Sequence, residues 1–219
     1  MDPANIDDPV ALRAVGLAPE ARKRLEAWLS LPDGDRAELI EGRIVYKAMT
    51  SIAHGGAILG IAAQLGGLQG ASDEGGGGWW LSQDVDMVLS GQGVRPDLVG
   101  WRIDKNPRPP EKINVSDRHL GVYVAPPDWV CEVLSGSTRA RDVEEGAKWQ
   151  AYYDAGVGHY WLVDLQQEEL LVYRRGARSY EQVEVARRDE VKPLPPFASV
   201  DFVARRVFVI SGRTRPVAR

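Results

Sequence analysis

Two acidic residues sit inside short apolar runs: Asp97 in "RPDLVGW" (residues 95–101) and Glu132 in "PDWVCEVL" (residues 127–134). Both runs read as buried strands, and a buried carboxylate costs several kcal/mol unless a partner compensates it. If the two strands are neighbours in one sheet, the acids converge at one end of it and repel each other unless a cation lies between them. Oxygen-only coordination by two acids, with water in the remaining positions, suits Mg²⁺, an ion that favours phosphate substrates. A third group belongs with them, because Lys148 lies in the segment that follows Glu132. Arg141, Glu144 or Glu145, Lys148 and Tyr152 recur there at three- and four-residue spacing, which on one helix places them close to a common side. A lysine beside a metal site stabilises charge developing on a phosphate and helps orient an attacking water. Two acids, a metal and a lysine together describe phosphodiester hydrolysis.

These residues need a scaffold. Residues 18–30, "APEARKRLEAWLS", carry Leu25, Trp28 and Leu29 at helical spacing, and "PDGDR" ends the helix. "AELIEGRIVYKA" reads as a hairpin around Glu41-Gly42. Residues 51–69 read as a buried helix with Ser51 as N-cap, and "SDEGGGG" as a mobile loop. "WWLSQDVDMVLS" alternates well enough for one half-buried strand, followed by the strand that carries Asp97. Residues 102–127, rich in Pro and charge, read as a surface excursion. After the strand with Glu132, "SGSTRARDVEEGAKWQAYYDAG" has the start and stop signals of one helix. "HYWLVDL", "ELLVYRR" and "YEQVEVAR" are successive strands, and "VDFVARRVFVI" a last strand or strand pair. The sum is an α/β or α+β domain, a mixed β-sheet core flanked by at least two helices.

Composition narrows the chemistry. At 219 residues, 44 % hydrophobic and 26 % charged, the chain fits one compact domain spanning residues 1–219. No run is long and apolar enough for a membrane helix and the N-terminus lacks signal-peptide order, so a soluble cytoplasmic protein is expected. A single cysteine, Cys131, and three scattered histidines exclude an intrachain disulfide and a cysteine-rich zinc site, which leaves any metal mainly to carboxylates. A formal charge of −4 argues against non-specific coating of nucleic acid while allowing a local basic groove.

In combination, "RPDLV", "PDWVCEVLSGSTRARD", Lys148, "YYDAGV" and "HYWLVD", with "AELIEGRIVYKAMTSIAH" upstream, resemble the Uma-two family of bacterial endonucleases within the PD-(D/E)xK restriction-endonuclease-like superfamily. The resemblance covers about residues 20–190, with a C-terminal strand and basic tail over 200–219 outside it. It implies a restriction-endonuclease-like fold, Mg²⁺ or Mn²⁺ as cofactor, DNA as substrate and a homodimer. It also implies Asp97 as the metal ligand of the PD element, Glu132 as the second acid and Glu38 as a secondary acid. The superfamily lysine lies two residues after the second acid, where this chain has Leu134, so Lys148 is the candidate for a lysine that has migrated to the helix.

Plainer roles compete for several residues. Asp97 also suits a Pro-Asp turn, Lys148 a solvated salt bridge to Glu144, and Glu38 an exposed hairpin position. Ser135, Ser137 and Thr138 read as helix caps, His54 and His159 as packing or surface histidines, and Tyr152, Tyr153, Tyr160 and Trp161 as core beneath the site. Arg102, Lys105, Arg108 and Lys112, or Arg205, Arg206, Arg213, Arg215 and Arg219, could follow a phosphate backbone or simply be solvated. Two other functions fit the same residues: a catalytically silent nuclease-fold module that binds nucleic acid or protein, and a metal hydrolase acting on RNA or nucleotides.

Overall fold

The computed structural model describes residues 18–32, 35–47, 51–70, 78–114, 121–135 and 139–209. The readings placed on "SDEGGGG", Ser137, Thr138, Arg213, Arg215 and Arg219 fall mostly or wholly outside these residues.

Helix α1 (Pro19–Leu29) begins with Pro at its first position and buries Leu25, Trp28 and Leu29. Strands β1 (Ala37–Ile40) and β2 (Arg43–Tyr46) form the expected hairpin. Its two-residue turn places Glu41 at φ 50° and Gly42 at φ 73°, the doubly left-handed geometry that matches strand twist. Helix α2 (Ile52–Leu65) starts where expected, because the Ser51 side chain accepts the His54 N–H.

The segment 79–90 is not one strand. Asp84 adopts φ 49° and turns the chain, so β3 (Trp79–Gln83) and β4 (Met87–Leu89) join different sheets. Strands β4, β5 (Gln92–Val94), β1 and β2 form a four-stranded sheet. The larger sheet has six strands, ordered β12-β11-β10-β9-β6-β3. Its members are β6 (Leu98–Arg102), β9 (Trp129–Val133), β10 (His159–Asp164), β11 (Glu169–Arg175), β12 (Tyr180–Arg187) and β3. β9 pairs parallel with β10 while the other pairs are antiparallel, so the sheet is mixed and the architecture α+β. The excursion contains a small ladder, β7 (Ile113–Asn114) with β8 (Gly121–Val122).

The helix expected over 135–156 is broken into α3 (Arg139–Asp142) and α4 (Ala147–Asp154). Glu145 takes φ 63°, and at Gly146 a Cβ would lie 2.3 Å from the Arg141 carbonyl oxygen, so only glycine permits this close return. The break removes Arg141 and Glu144 from the helical face that carries Lys148. At the C-terminal end, β13 (Val191–Leu194) was not anticipated, and β14 runs over Phe197–Val203 rather than 200–210. A 3₁₀ turn at Ala204–Arg206 ends it.

Alternation along β9 explains the layers. Trp129, Cys131 and Val133 face a core formed with α2, β13 and β14. Val130 faces the opposite core, where Trp149 and Tyr152 of α4 pack with Tyr160, Leu162 and Tyr180. Glu132 therefore points toward α4. Among the described residues no helix is long and apolar enough to cross a membrane.

Candidate active site

β6 and β9 are neighbours, as the chemistry requires, with Leu98 opposite Cys131 and Val99 opposite Val130. Extending that register by one residue sets Asp97 against Glu132, a like-charged cross-strand pair that is unfavourable by itself. Both are 1 % exposed, and Glu38 on β1 is fully buried, so the reading of Glu38 as an exposed hairpin acid is corrected.

Lys148 occupies the centre of this acid group. Its Nζ lies 2.5 Å from Glu132 Oε1, 2.9 Å from Glu38 Oε1 and 3.5 Å from Asp142 Oδ1, and the side chain is 0 % exposed. The solvated pairing with Glu144 is thereby replaced by a buried one. Tyr152, one turn further along α4, donates its hydroxyl to Glu132 Oε1 at 2.6 Å, so this core tyrosine also touches the site. Glu38 Oε1 accepts the Arg95 N–H, and Arg141 approaches Glu38 Oε2 at 3.9 Å.

Asp97 is held by different groups. Lys47, at the end of the β1–β2 hairpin, donates to Oδ1 at 2.9 Å, and the Val133 N–H donates to Oδ2 at 2.8 Å. His54 Nε2 stands 3.3 Å from Oδ2, which corrects its reading as a packing or surface histidine. Lys47, His54 and Asp142 are the site residues that local sequence reasoning did not find. Lys47 and His54 had one visible sign: both lie within "AELIEGRIVYKAMTSIAH", the stretch that also holds Glu38. His159 is elsewhere, with Trp129 as its strand partner, and burial pushes its pKa down to about 4.

Burial opposes charge on every acid, and the outcome differs with the cations nearby. Burial raises the Asp97 pKa, but His54 and Lys47 outweigh it and hold the carboxyl well below the usual range. Glu38 is likewise lowered, because Lys148 and Lys47 overcome its desolvation. Glu132 goes the other way: burial, aided by Asp97, outweighs Lys148 and pushes it up to about 8. One ammonium does not satisfy three acids, and Glu132 is the acid left short of positive charge.

That shortfall predicts a pH effect. With a folded pKa near 8 and an unfolded one near 4.5, Glu132 binds more protons folded than unfolded, so it makes stability fall as pH rises between those values. His159 acts in the opposite sense below about 6.5. Above that, in chelator, unfolding free energy is expected to fall by up to roughly 1.4 kcal/mol per pH unit until about pH 8. Urea titrations of wild type and Glu132→Gln across this range check it; an equally steep wild-type slope in the variant would assign the effect elsewhere.

The donor set fits a hard divalent ion: buried carboxylate oxygens, one of which carries a proton for want of a cation. Among the described residues no three His, Cys, Asp or Glu side chains converge tightly enough to hold an ion by themselves, so water must complete the shell. Of the basic residues in the excursion, Arg102 pairs with Asp104 and Lys105 with Asp128, which leaves them less free for phosphate.

The fold and the chain have known counterparts. The structure resembles the crystal structure of a protein described as a putative nuclease belonging to DUF820 from Anabaena variabilis, with a TM-score of 0.62 and 20 % identity. The match covers 84 % of this chain and 97 % of that one, a likeness of fold. No curated protein matches the sequence. A family model described as "Putative restriction endonuclease" matches residues 22–205, which include Glu38, Asp97, Glu132 and Lys148. By that match over most of its length the chain belongs to the Uma2 family.

Proposed function

We propose that the protein is a divalent-metal-dependent endonuclease that hydrolyses phosphodiester bonds in DNA. In this reading it acts as a single cytoplasmic domain, paired as a homodimer so that two sites address two strands. The observation that carries it is the meeting of Asp97, Glu132 and Lys148 from two adjacent strands and the crossover helix, with Lys148 Nζ 2.5 Å from Glu132. Family membership supports nuclease chemistry; the metal rests on the buried carboxylates of the site, and DNA as substrate on the family resemblance.

Asp97 and Glu132 hold the ion through carboxylate oxygens. When bound, Mg²⁺ or Mn²⁺ supplies Lewis-acid stabilisation of the phosphoryl oxygens and a more acidic water. Lys148 offsets charge developing on the phosphate and orients the attacking water. Glu38 also holds Lys148 in place and is the secondary acid of the site. Lys47 holds Asp97 Oδ1 and the Val133 N–H holds Oδ2, which together fix the carboxylate's orientation.

The pairing of both key acids with lysines favours one other reading, a silent module whose ammonium groups take the place of a metal permanently. Titration of Mn²⁺ by calorimetry, with cleavage of supercoiled plasmid, linear duplex and single-stranded RNA in the same samples, separates the two. The proposal expects metal binding and metal-dependent nicking of DNA, abolished by chelator. A protein that binds no metal and cuts nothing is the silent module, and one that cuts only RNA is a ribonuclease.

A further inference from the structure

We infer that His54 is a nitrogen ligand of the divalent ion, sharing with Asp97 one edge of its coordination shell; this rests on the metal-dependent reading above. His54 occupies the first turn of α2, and its position there is set by Ser51, whose side chain accepts the His54 N–H at 3.1 Å. The cap thus fixes where the imidazole begins, independently of Asp97. From that turn Nε2 reaches to 3.3 Å of Asp97 Oδ2, with the two side chains 11 % and 1 % exposed.

The contact is close without being a well-formed hydrogen bond: Nε2 is buried and has no aligned hydrogen-bond partner among the described residues. A buried polar atom left in that state costs free energy unless a ligand uses it. Asp97 meanwhile is locked, with Lys47 on Oδ1 and the Val133 N–H on Oδ2, so the oxygen that faces the imidazole cannot rotate away. Two donors bound side by side to an octahedral ion with bonds of about 2.1 Å lie about 3 Å apart. The 3.3 Å between Nε2 and Oδ2 matches that spacing.

Glu38 is tied to Lys148 and the Arg95 N–H and is not available as a further donor, so water completes the shell beside Asp97 and His54. An imidazole in an otherwise oxygen shell favours transition-metal ions over Mg²⁺, so Mn²⁺ is bound more tightly than Mg²⁺.

Electron spin echo spectroscopy of the full-length protein loaded with Mn²⁺ alone tests this directly. Wild type is expected to show nitrogen modulation that changes from the ¹⁴N to the ¹⁵N pattern when only its histidines are ¹⁵N-labelled. His54→Gln is expected to lose the modulation while still binding Mn²⁺, with affinity weakened by about tenfold or more, as losing a metal-site partner does. Wild type that binds Mn²⁺ without histidine modulation, or modulation that persists in His54→Gln, overturns the ligand assignment and leaves the metal-dependent nuclease standing. Wild type that binds no Mn²⁺ overturns both.

Discussion

Lys148→Met is expected to destabilise the protein by roughly 3–5 kcal/mol at pH 8 in chelator, the usual result of removing one partner from a buried ion cluster. Lys148 is fully buried, and its ammonium is raised well above its ordinary pKa because Glu132, Glu38 and Asp142 together outweigh the burial that opposes its charge. Methionine fills similar space, so little of the loss comes from a cavity. What remains is a set of buried acids whose cation is gone. Their remaining relief is to take up protons, which raises their folded pKa values above the unfolded ones and makes the variant lose stability as pH rises. The gap between variant and wild type is therefore expected to be clearly smaller at pH 5 than at pH 8. Urea unfolding at the two pH values measures it; a gap that is absent, or independent of pH, would mean that Lys148 carries no such electrostatic role.

The second large effect separates function from folding. Glu132→Gln and Asp97→Asn are each expected to abolish measurable Mn²⁺ binding and to lower plasmid cleavage by at least about 100-fold, the equivalent of about 3 kcal/mol of metal-derived transition-state stabilisation. Their stabilities should differ. Glu132 is largely protonated at neutral pH, so the neutral amide resembles what the metal-free fold already contains. Asp97 is ionised and engages Lys47, so its replacement leaves a buried ammonium without its closest acid. Glu132→Gln should thus unfold like wild type near pH 7, whereas Asp97→Asn should unfold earlier. Calorimetric titration and thermal melts of both variants decide the matter. Retained cleavage in either would remove that acid from the metal site.

The parts of this molecule legible in the sequence are those governed by local spacing. The Glu41-Gly42 turn, the Ser51 cap and the burial of Leu25, Trp28 and Leu29 follow from neighbouring residues, and the structure has all of them. Adjacency of the Asp97 and Glu132 strands was legible for a different reason: a carboxylate within an apolar strand demands a distant partner. The misses are positions where one backbone angle outweighs periodicity. Asp84 and Glu145, each a non-glycine residue at positive φ, split what reads as one strand and one helix. His54 looked like a packing residue because the apolar helix around it conceals which face meets a carboxylate. Lys47 drew no reading from the sequence, because Asp97 lies 50 residues away. Glu38 entered as a secondary acid through the family resemblance alone, since nothing beside a hairpin announces that the Lys148 helix will cover it.

The parallel pairing of β9 with β10 has a consequence for how this protein folds. Antiparallel strands can close through a short turn, but a parallel pair requires the chain to leave the sheet and return, and here Lys148 rides on that return. The loop-closure entropy of the crossover is spent before its contacts form, which slows folding relative to chains dominated by local contacts. Until the crossover docks, strands bringing Glu38, Asp97 and Glu132 together lack the ammonium that makes their approach favourable. The crossover that carries Lys148 supplies the charge that offsets these acids, so the sheet and the crossover stabilise each other.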